Sequence, residues 1–389
     1  MNRQTYCYVL MGLLMILLLT GCWDRVEIED RGFVVGAALD LPEDSAQSKK
    51  VKLTNQFVVP SGIGAPSQGS SGGQPAHANV AATGKSLLAI EREMGAMTSR
   101  SPYLPNMKLI SLSSELAKTD MFESVLDLFI RDHEMRRGVK VAITEGNAAG
   151  IFNIDAKNAK LPVNHIESVM NNHFKYLGNI RPLRVGGLHE YLLKKESFLV
   201  PKITKQGNDM TYQGAGVFHG YNNRMTGVMN VKATKGYNLL TGQAHSGTIK
   251  IKMDDSPVTL ELMEVTSSMK VRSQAQSAIK ASIQTDVESR VAETFASQSL
   301  QNEKRLQTMG KKAEKKMEKL MKTTIKKAQN EWKADILGVG RKLHKYHYDV
   351  WQTVKKDWDR GQNYFSEADI DVASDITIKT TGVTDQSKK

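Results

Sequence analysis

The sequence predicts a multi-domain α+β protein with mixed and antiparallel sheets flanked by helices, an N-terminal lipoprotein signal and a long lysine-rich helix in the C-terminal domain. Three observations predict it. The chain has 389 residues, 40% hydrophobic and 24% charged, enough for two or three cores at ~100 to 200 residues per domain. Segments of period-two alternation are interspersed with segments of three- and four-residue spacing, in no regular βαβ order. Residues 301–330 hold 10 Lys or Arg against 3 Glu, yet keep Leu306, Met309, Ala313, Met317 and Leu320 at helical steps.

The leader comes first. Arg3 is the only charge before an uncharged run over 8–19, which ends in Leu19, Thr20, Gly21 and Cys22. Such a run falls within the ~7 to 15 residues of a signal-peptide core and short of the ~20 that cross a bilayer. The tetrad Leu-Thr-Gly-Cys resembles the bacterial lipobox, which implies cleavage after a signal peptide of 1–21 and a diacylglycerol thioether on Cys22. Two acyl chains anchor stably where one is marginal.

Removing 1–21 takes away only Arg3 from the 53 basic residues, leaving 52 against 41 acidic ones, a formal +11. An exported chain meets no nucleic acid, so anionic lipid headgroups become the natural counter-charge. The two cysteines are Cys7 and Cys22; the body therefore has no disulfide, thiolate metal site or cysteine nucleophile.

An N-terminal α+β domain is expected over 22–200. Strands at 32–40 and 51–59 form a hairpin around Pro42, Glu43 and Asp44. In 60–79, Gly, Ser and Pro fill 12 of 20 positions, which reads as a flexible loop. Helical spacing at 83–94, with Thr83 as cap, precedes a strand at 107–112 and an amphipathic helix over 114–131. A strand at 139–144 and helices near 162–177 and 188–195 follow. Pro201 and a polar turn break the pattern around 199–207.

A middle β-rich domain, 206–255, follows with strands at 212–218, 225–231 and 248–253. The C-terminal α+β domain, 256–382, takes antiparallel strands at 258–265 and 278–287, the long helix over 300–336 and a last alternating strand at 368–378. A tail, 383–389, ends the chain.

Several patterns invite a chemical reading and lack its context. Gly69-Ser70-Ser71-Gly72-Gly73 fits G-x-S-x-G, but its flanks are linker rather than the strand and helix of a nucleophile elbow. Thr83-Gly84-Lys85-Ser86 resembles the end of a phosphate loop whose first glycine is replaced by Asn79. Gly214-Ala215-Gly216 begins a dinucleotide fingerprint that fails at His219. His344 and His347 could chelate a metal only with a third ligand. No catalytic residue, metal ligand or cofactor site is expected. Trp351 and Trp358 read first as core packing and second as an aromatic shelf. The lysine-rich helix either docks on anionic lipid or is a solvated face over an apolar stripe.

Taken in order, the residues resemble the Ger(x)C family, the lipoprotein C subunits of spore germinant receptors. The resemblance is carried by Gly21-Cys22-Trp23-Asp24, Glu27-Ile28 and the strand to Asp40; by Leu116-Ala117-Lys118, Arg131-Asp132 and Arg136; and by Tyr212, Gly214-Ala215, Val217-Phe218 and Gly227. It ends with Asp335, Gly338, Gly340, Leu343, Trp351, Trp358 and Gly382. It implies a three-domain, noncatalytic lipoprotein on the outer face of the spore's inner membrane, acting beside an integral-membrane A subunit and a permease-like B subunit in the response to nutrients. The alternative is a solute-binding lipoprotein capturing a germinant such as an amino acid. That class has two lobes of repeated βαβ units, which the antiparallel groupings here do not match.

Overall fold

The computed structural model describes residues 27–43, 49–63, 74–156, 159–244, 246–273, 278–294 and 303–380, with scattered positions in the first twelve. Cys22, the Gly-Ser segment 64–73 and the tail 381–389 lie outside the described residues.

Two sheets organise the chain. The larger runs in the order β10 (Arg224–Met229), β9 (Asp209–His219), β8 (Phe198–Gln206), β6 (Lys140–Thr144), β5 (Leu109–Ser113), β1 (Arg31–Asp40), β2 (Val51–Val58) and β3 (His77–Gly84), with the short strands β4 (Ser101–Tyr103) and β7 (Leu183–Arg184) attached to β1 and β6. β1 (Arg31–Asp40) and β2 (Val51–Val58) form the expected antiparallel hairpin, with Leu39 opposite Leu53. The register slips between Val34 and Gly36. Val34, Ala37 and Leu39 consequently enter one hydrophobic core, while Val35 and Ala38 enter the other. One extra residue is enough to invert which face a strand's side chains meet.

β1 runs parallel to β5 (Leu109–Ser113), β5 to β6 (Lys140–Thr144), and β6 to β8 (Phe198–Gln206). All five residues of β5 and of β6 are buried, the pattern of parallel strands covered on both faces. One face is covered by α1 (Leu87–Met97), α2 (Met121–Arg131) and α4 (Val185–Lys194), through Ile90, Met94, Phe122, Phe129 and Leu188. α3 (Pro162–Asn171) and α5 (Val231–Thr241) lie in the opposite core, which continues into the second sheet.

That smaller sheet has the order β11 (Gly247–Met253), β12 (Ser256–Ser273), β13 (Ile279–Thr294), β14 (Asp369–Thr380). Buried and exposed residues alternate along β13 from Ile279 to Val291, as a strand with one dry face requires. The dry face carries α6 (Glu303–Lys326), whose buried stripe includes Met309, Ala313, Met317, Met321 and Ile325. α6 passes into a π-helical segment, Lys327–Trp332, closed by Lys333 in the left-handed region at φ 51°.

Several elements differ from the sequence expectations. The helix after β3 (His77–Gly84) starts at Leu87, with Ser86 rather than Thr83 as its cap: the Ser86 hydroxyl accepts from the Ala89 amide at 3.4 Å, and Thr83 belongs to the strand. The ends of 60–79 are ordered as a helical turn, Pro60–Ile63, and the start of β3. The expected helix over 114–131 is two, Ser114–Ala117 and α2.

Pro201 lies inside β8, where the pairing with β9 (Asp209–His219) shifts between Pro201 and Ile203; a bulge tolerates the missing amide. The stretch 206–255 divides between the sheets: β9 and β10 (Arg224–Met229) extend the larger, and β11 edges the smaller. The last strand, expected only as an alternating segment, is β14, and it pairs with β13 in parallel.

Candidate functional site

The residues with most concentrated interactions gather where α6 ends. Asp335 is buried, and its carboxylate is saturated by four donors. Oδ1 accepts from the amides of Gly338 at 2.8 Å and Val339 at 3.1 Å, and Oδ2 from Gly340 N at 2.7 Å and Trp358 Nε1 at 2.8 Å. The three amides open α7 (Val339–Tyr346), where helix geometry leaves N–H groups without internal partners. Gly338 supplies the left-handed turn at φ +80°. A Cβ on Gly340 would lie 2.5 Å from Trp358 Nε1, so the absence of a side chain lets the indole reach the carboxylate. Burial pushes the Asp335 carboxyl above its ordinary range, opposed by these bonds.

Trp358 continues an aromatic chain. Its ring centroid is 5.9 Å from that of Trp351 in an edge-on arrangement and 6.0 Å from Phe365. Trp351, on α8 (Tyr348–Val354), is 5.8 Å from His344. Trp358 and Phe365 are buried, whereas Trp351 is half-buried. The pair is therefore core packing at one end and an accessible aromatic wall at the other.

The site lies on the seam between the two halves of the chain. Arg341 Nε meets Glu196 Oε2 at 3.2 Å, and its guanidinium is 5.9 Å from the Tyr191 ring. Ser197 donates to Asp359 Oδ2 at 2.5 Å while accepting from the Gly220 amide at 3.2 Å. Gly227 of β10 faces Trp332 so closely that a Cβ there would be 2.6 Å from the indole. Between these contacts lies a cleft of about 570 Å³, walled by Tyr221, Trp351, Lys195, Lys356 and Arg360 among others. Its acids are engaged: Glu196 by Arg341, Asp359 by Ser197, Asp335 by its four donors.

The other motifs have structural roles. Gly214 adopts φ +94°, and a Cβ there would lie 1.8 Å from the Met229 carbonyl oxygen, so the glycine serves close strand approach. His347 Nε2 donates to the Val271 carbonyl at 2.9 Å, while His344 packs on aromatic rings. Among the described residues no three His, Cys, Asp or Glu groups are placed to hold a metal ion. Leu116, Ala117 and Leu343 are core residues, and Arg131 pairs with Asp127 at 2.8 Å. The Gly-Ser motif at 69–73 lies outside the described residues.

The sequence reading missed another buried carboxylate. Glu91 is 7% exposed, and both its oxygens accept from Asn55 Nδ2, at 3.0 and 2.9 Å. Burial pushes its carboxyl up to about 7 against that bond. Glu91 stands on the buried stripe of α1, the only signal in the sequence that could have marked it.

Fold and seam together define a two-sheet α+β protein whose halves are joined by a saturated polar and aromatic junction. Comparison with known proteins supplies the family. The region 24–205 matches the family described as "Spore germination protein N-terminal domain", and 213–382 matches "Spore germination B3/ GerAC like, C-terminal". The chain belongs to the Ger(x)C family of spore germination proteins.

Relatives from Bacillus subtilis (strain 168) include "Spore germination protein YndF", 27% identical over 98% of each chain, and "Spore germination protein B3", 27% identical over 94% of each. "Spore germination protein A3" is 26% identical over 96% of this chain and 97% of that one. The fold is shared with the structure titled "Crystal Structure of the GerBC protein", at TM-score 0.61 and 22% identity, covering 88% of this chain and 97% of the other. The chain is thus a germination-related protein of the GerAC-like type.

Proposed function

We propose that this chain is a noncatalytic C subunit of a spore germinant receptor, needed for the germination response to nutrients and acting beside integral-membrane A and B subunits. A diacylglycerol thioether on Cys22 holds it to the outer face of the spore's inner membrane. The observation that carries the noncatalytic reading is the saturation of Asp335. A proton-transfer group needs a free lone pair aimed at a substrate, whereas this carboxylate spends its acceptor capacity on α7 and Trp358. Family membership supports the receptor role, and the Leu-Thr-Gly-Cys sequence supports the tether. Among the described residues no helix is long and apolar enough to cross a membrane.

Replacing Cys22 by Ala tests the tether. The variant is expected to leave the membrane fraction after a high-salt wash and to slow nutrient germination; full retention with normal germination would refute the reading. Co-purification of the tagged chain from spore inner membranes should bring down two integral-membrane companions. The solute-binding alternative would use the cleft beside Trp351. A saturable micromolar heat with amino acids, sugars or nucleosides, lost on Trp351→Ala, would favour it.

A further inference from the structure

Three ammonium groups from three elements converge near the edge of the smaller sheet. Lys316 of α6 donates to the main-chain carbonyl of Lys250 on β11. Burial, followed by the like charges of Lys235 on α5 and of Lys250, holds the Lys316 ammonium below its ordinary value, and no carboxylate among the described residues offsets them. Cations gathered without a counter-charge repel one another, and an arriving anion relieves that repulsion. One turn along α6, Lys312 donates to the Lys252 carbonyl at 2.9 Å. The outer face of α6 continues the charge with exposed Lys311, Lys315, Lys319, Lys322 and Lys326 at three- and four-residue steps.

Two exposed aromatic rings adjoin the cluster. On the loop after α3, Phe174 is 41% and Tyr176 46% exposed. Lys235 Nζ lies 5.2 Å from the Tyr176 ring centre, and Lys175 Nζ lies 6.0 Å from that of Phe174. The loop is fixed to the same elements as the lysines: Asn238 of α5 donates to the carbonyls of Leu177 and Asn179, both at 2.8 Å. A Cβ on Gly247, at the head of β11, would be 2.7 Å from Leu177 Cβ. Half-exposed rings beside cations that no carboxylate among the described residues pairs match a bilayer's headgroup zone, where aromatic rings settle at the interface and lysines meet phosphate.

We propose that this surface, centred on Lys235, Lys250 and Lys316 and edged by Phe174 and Tyr176, docks on the phosphate-bearing face of an anionic phospholipid bilayer. Proximity to that bilayer rests on the Cys22 tether proposed above. The chain from Cys22 to Arg31 spans at most ~30 Å, so the body is held at high local concentration and individually weak contacts can orient it.

The test uses the full chain carrying Cys22→Ala, so that no acyl chain contributes. It is titrated with phosphatidylglycerol-containing vesicles and with phosphatidylcholine vesicles, the latter measuring any binding through the apolar run 8–19. Binding should favour the anionic vesicles and fall steeply with salt. At about fivefold per lysine, replacing half-buried Lys235 and exposed Lys250 together, Lys235→Gln with Lys250→Gln, which spares Lys316, should weaken binding about 25-fold. Phe174→Ala with Tyr176→Ala should weaken it several-fold.

A control pair elsewhere, Lys85→Gln with Lys118→Gln, should change it less than twofold. Equal loss in the control, no loss in the Lys235 and Lys250 pair, full displacement by millimolar glycerol phosphate, or equal binding to duplex DNA or polyglutamate would each overturn the proposal. An unmodified Cys22 in the native protein would refute the tether and leave the vesicle result standing.

Discussion

Glu91 allows a prediction with a worked magnitude. Its carboxyl is raised from 4.5 to about 7, chiefly by burial, while the unfolded chain ionises near the lower value. Below pH 4.5 both states hold the proton and the group leaves stability untouched. Between about 4.5 and 7 the unfolded state has lost its proton and the folded state keeps it, so stability falls as pH rises. At ~1.4 kcal/mol per pH unit, the interval from 4.5 to about 7 costs about 3 kcal/mol above pH 7.

Glu91→Gln retains the volume and an oxygen for Asn55 Nδ2 while removing the ionisation. The variant should match wild type within ~0.5 kcal/mol at pH 4 and exceed it by about 2 to 3 kcal/mol at pH 8. Urea unfolding at half-unit pH steps gives the difference directly. A difference that is flat between pH 4 and 8, or that shrinks as pH rises, would show that Glu91 is not held protonated by burial.

At the seam, Asp335→Asn places an NH₂ where donors now converge and should cost about 3 to 5 kcal/mol. Chemical denaturation followed by tryptophan emission would read it, with the Trp358 environment changing in the folded baseline. Arg341→Ala removes a partly exposed ion pair with Glu196 and should cost less than ~1 kcal/mol; a larger loss in thermal unfolding would show the seam to be held by that pair. Gly214→Ala drives a Cβ against the Met229 carbonyl at a φ that side chains avoid, and should lower stability by about 3 kcal/mol or more. An unchanged urea midpoint would refute the close approach of β9 and β10.

Local signals in the sequence were strong where one segment determines its own state. The β1–β2 hairpin, the alternation of β13 and the apolar stripe of α6 were legible because period and turn chemistry lie within a few residues. The failures had non-local causes. β3 hides in small residues, Ala78, Ala81, Ala82 and Gly84, and is a strand because β2 offers an edge. Pro201 argued against β8, yet the bulge at that point removes the need for its amide. Asp335, Gly338, Gly340 and Trp358 could be singled out by resemblance. Their meeting around one carboxylate depends on a return of 23 residues that no periodicity encodes. Glu91, on α1, was invisible as a titrating group because its partner Asn55 lies on β2, 36 residues earlier.

The parallel seat of β14 beside β13 has a consequence for biogenesis. The two are separated in sequence by all of α6, α7 and α8, so loop closure delays their pairing. Until the last strand arrives, a flank of β13 up to 16 residues long has open hydrogen-bonding positions, the surface on which strands from other chains add. A nascent or truncated polypeptide lacking its final segment is therefore a substrate for chaperones and proteases, and completion of synthesis doubles as the quality checkpoint for this half of the molecule.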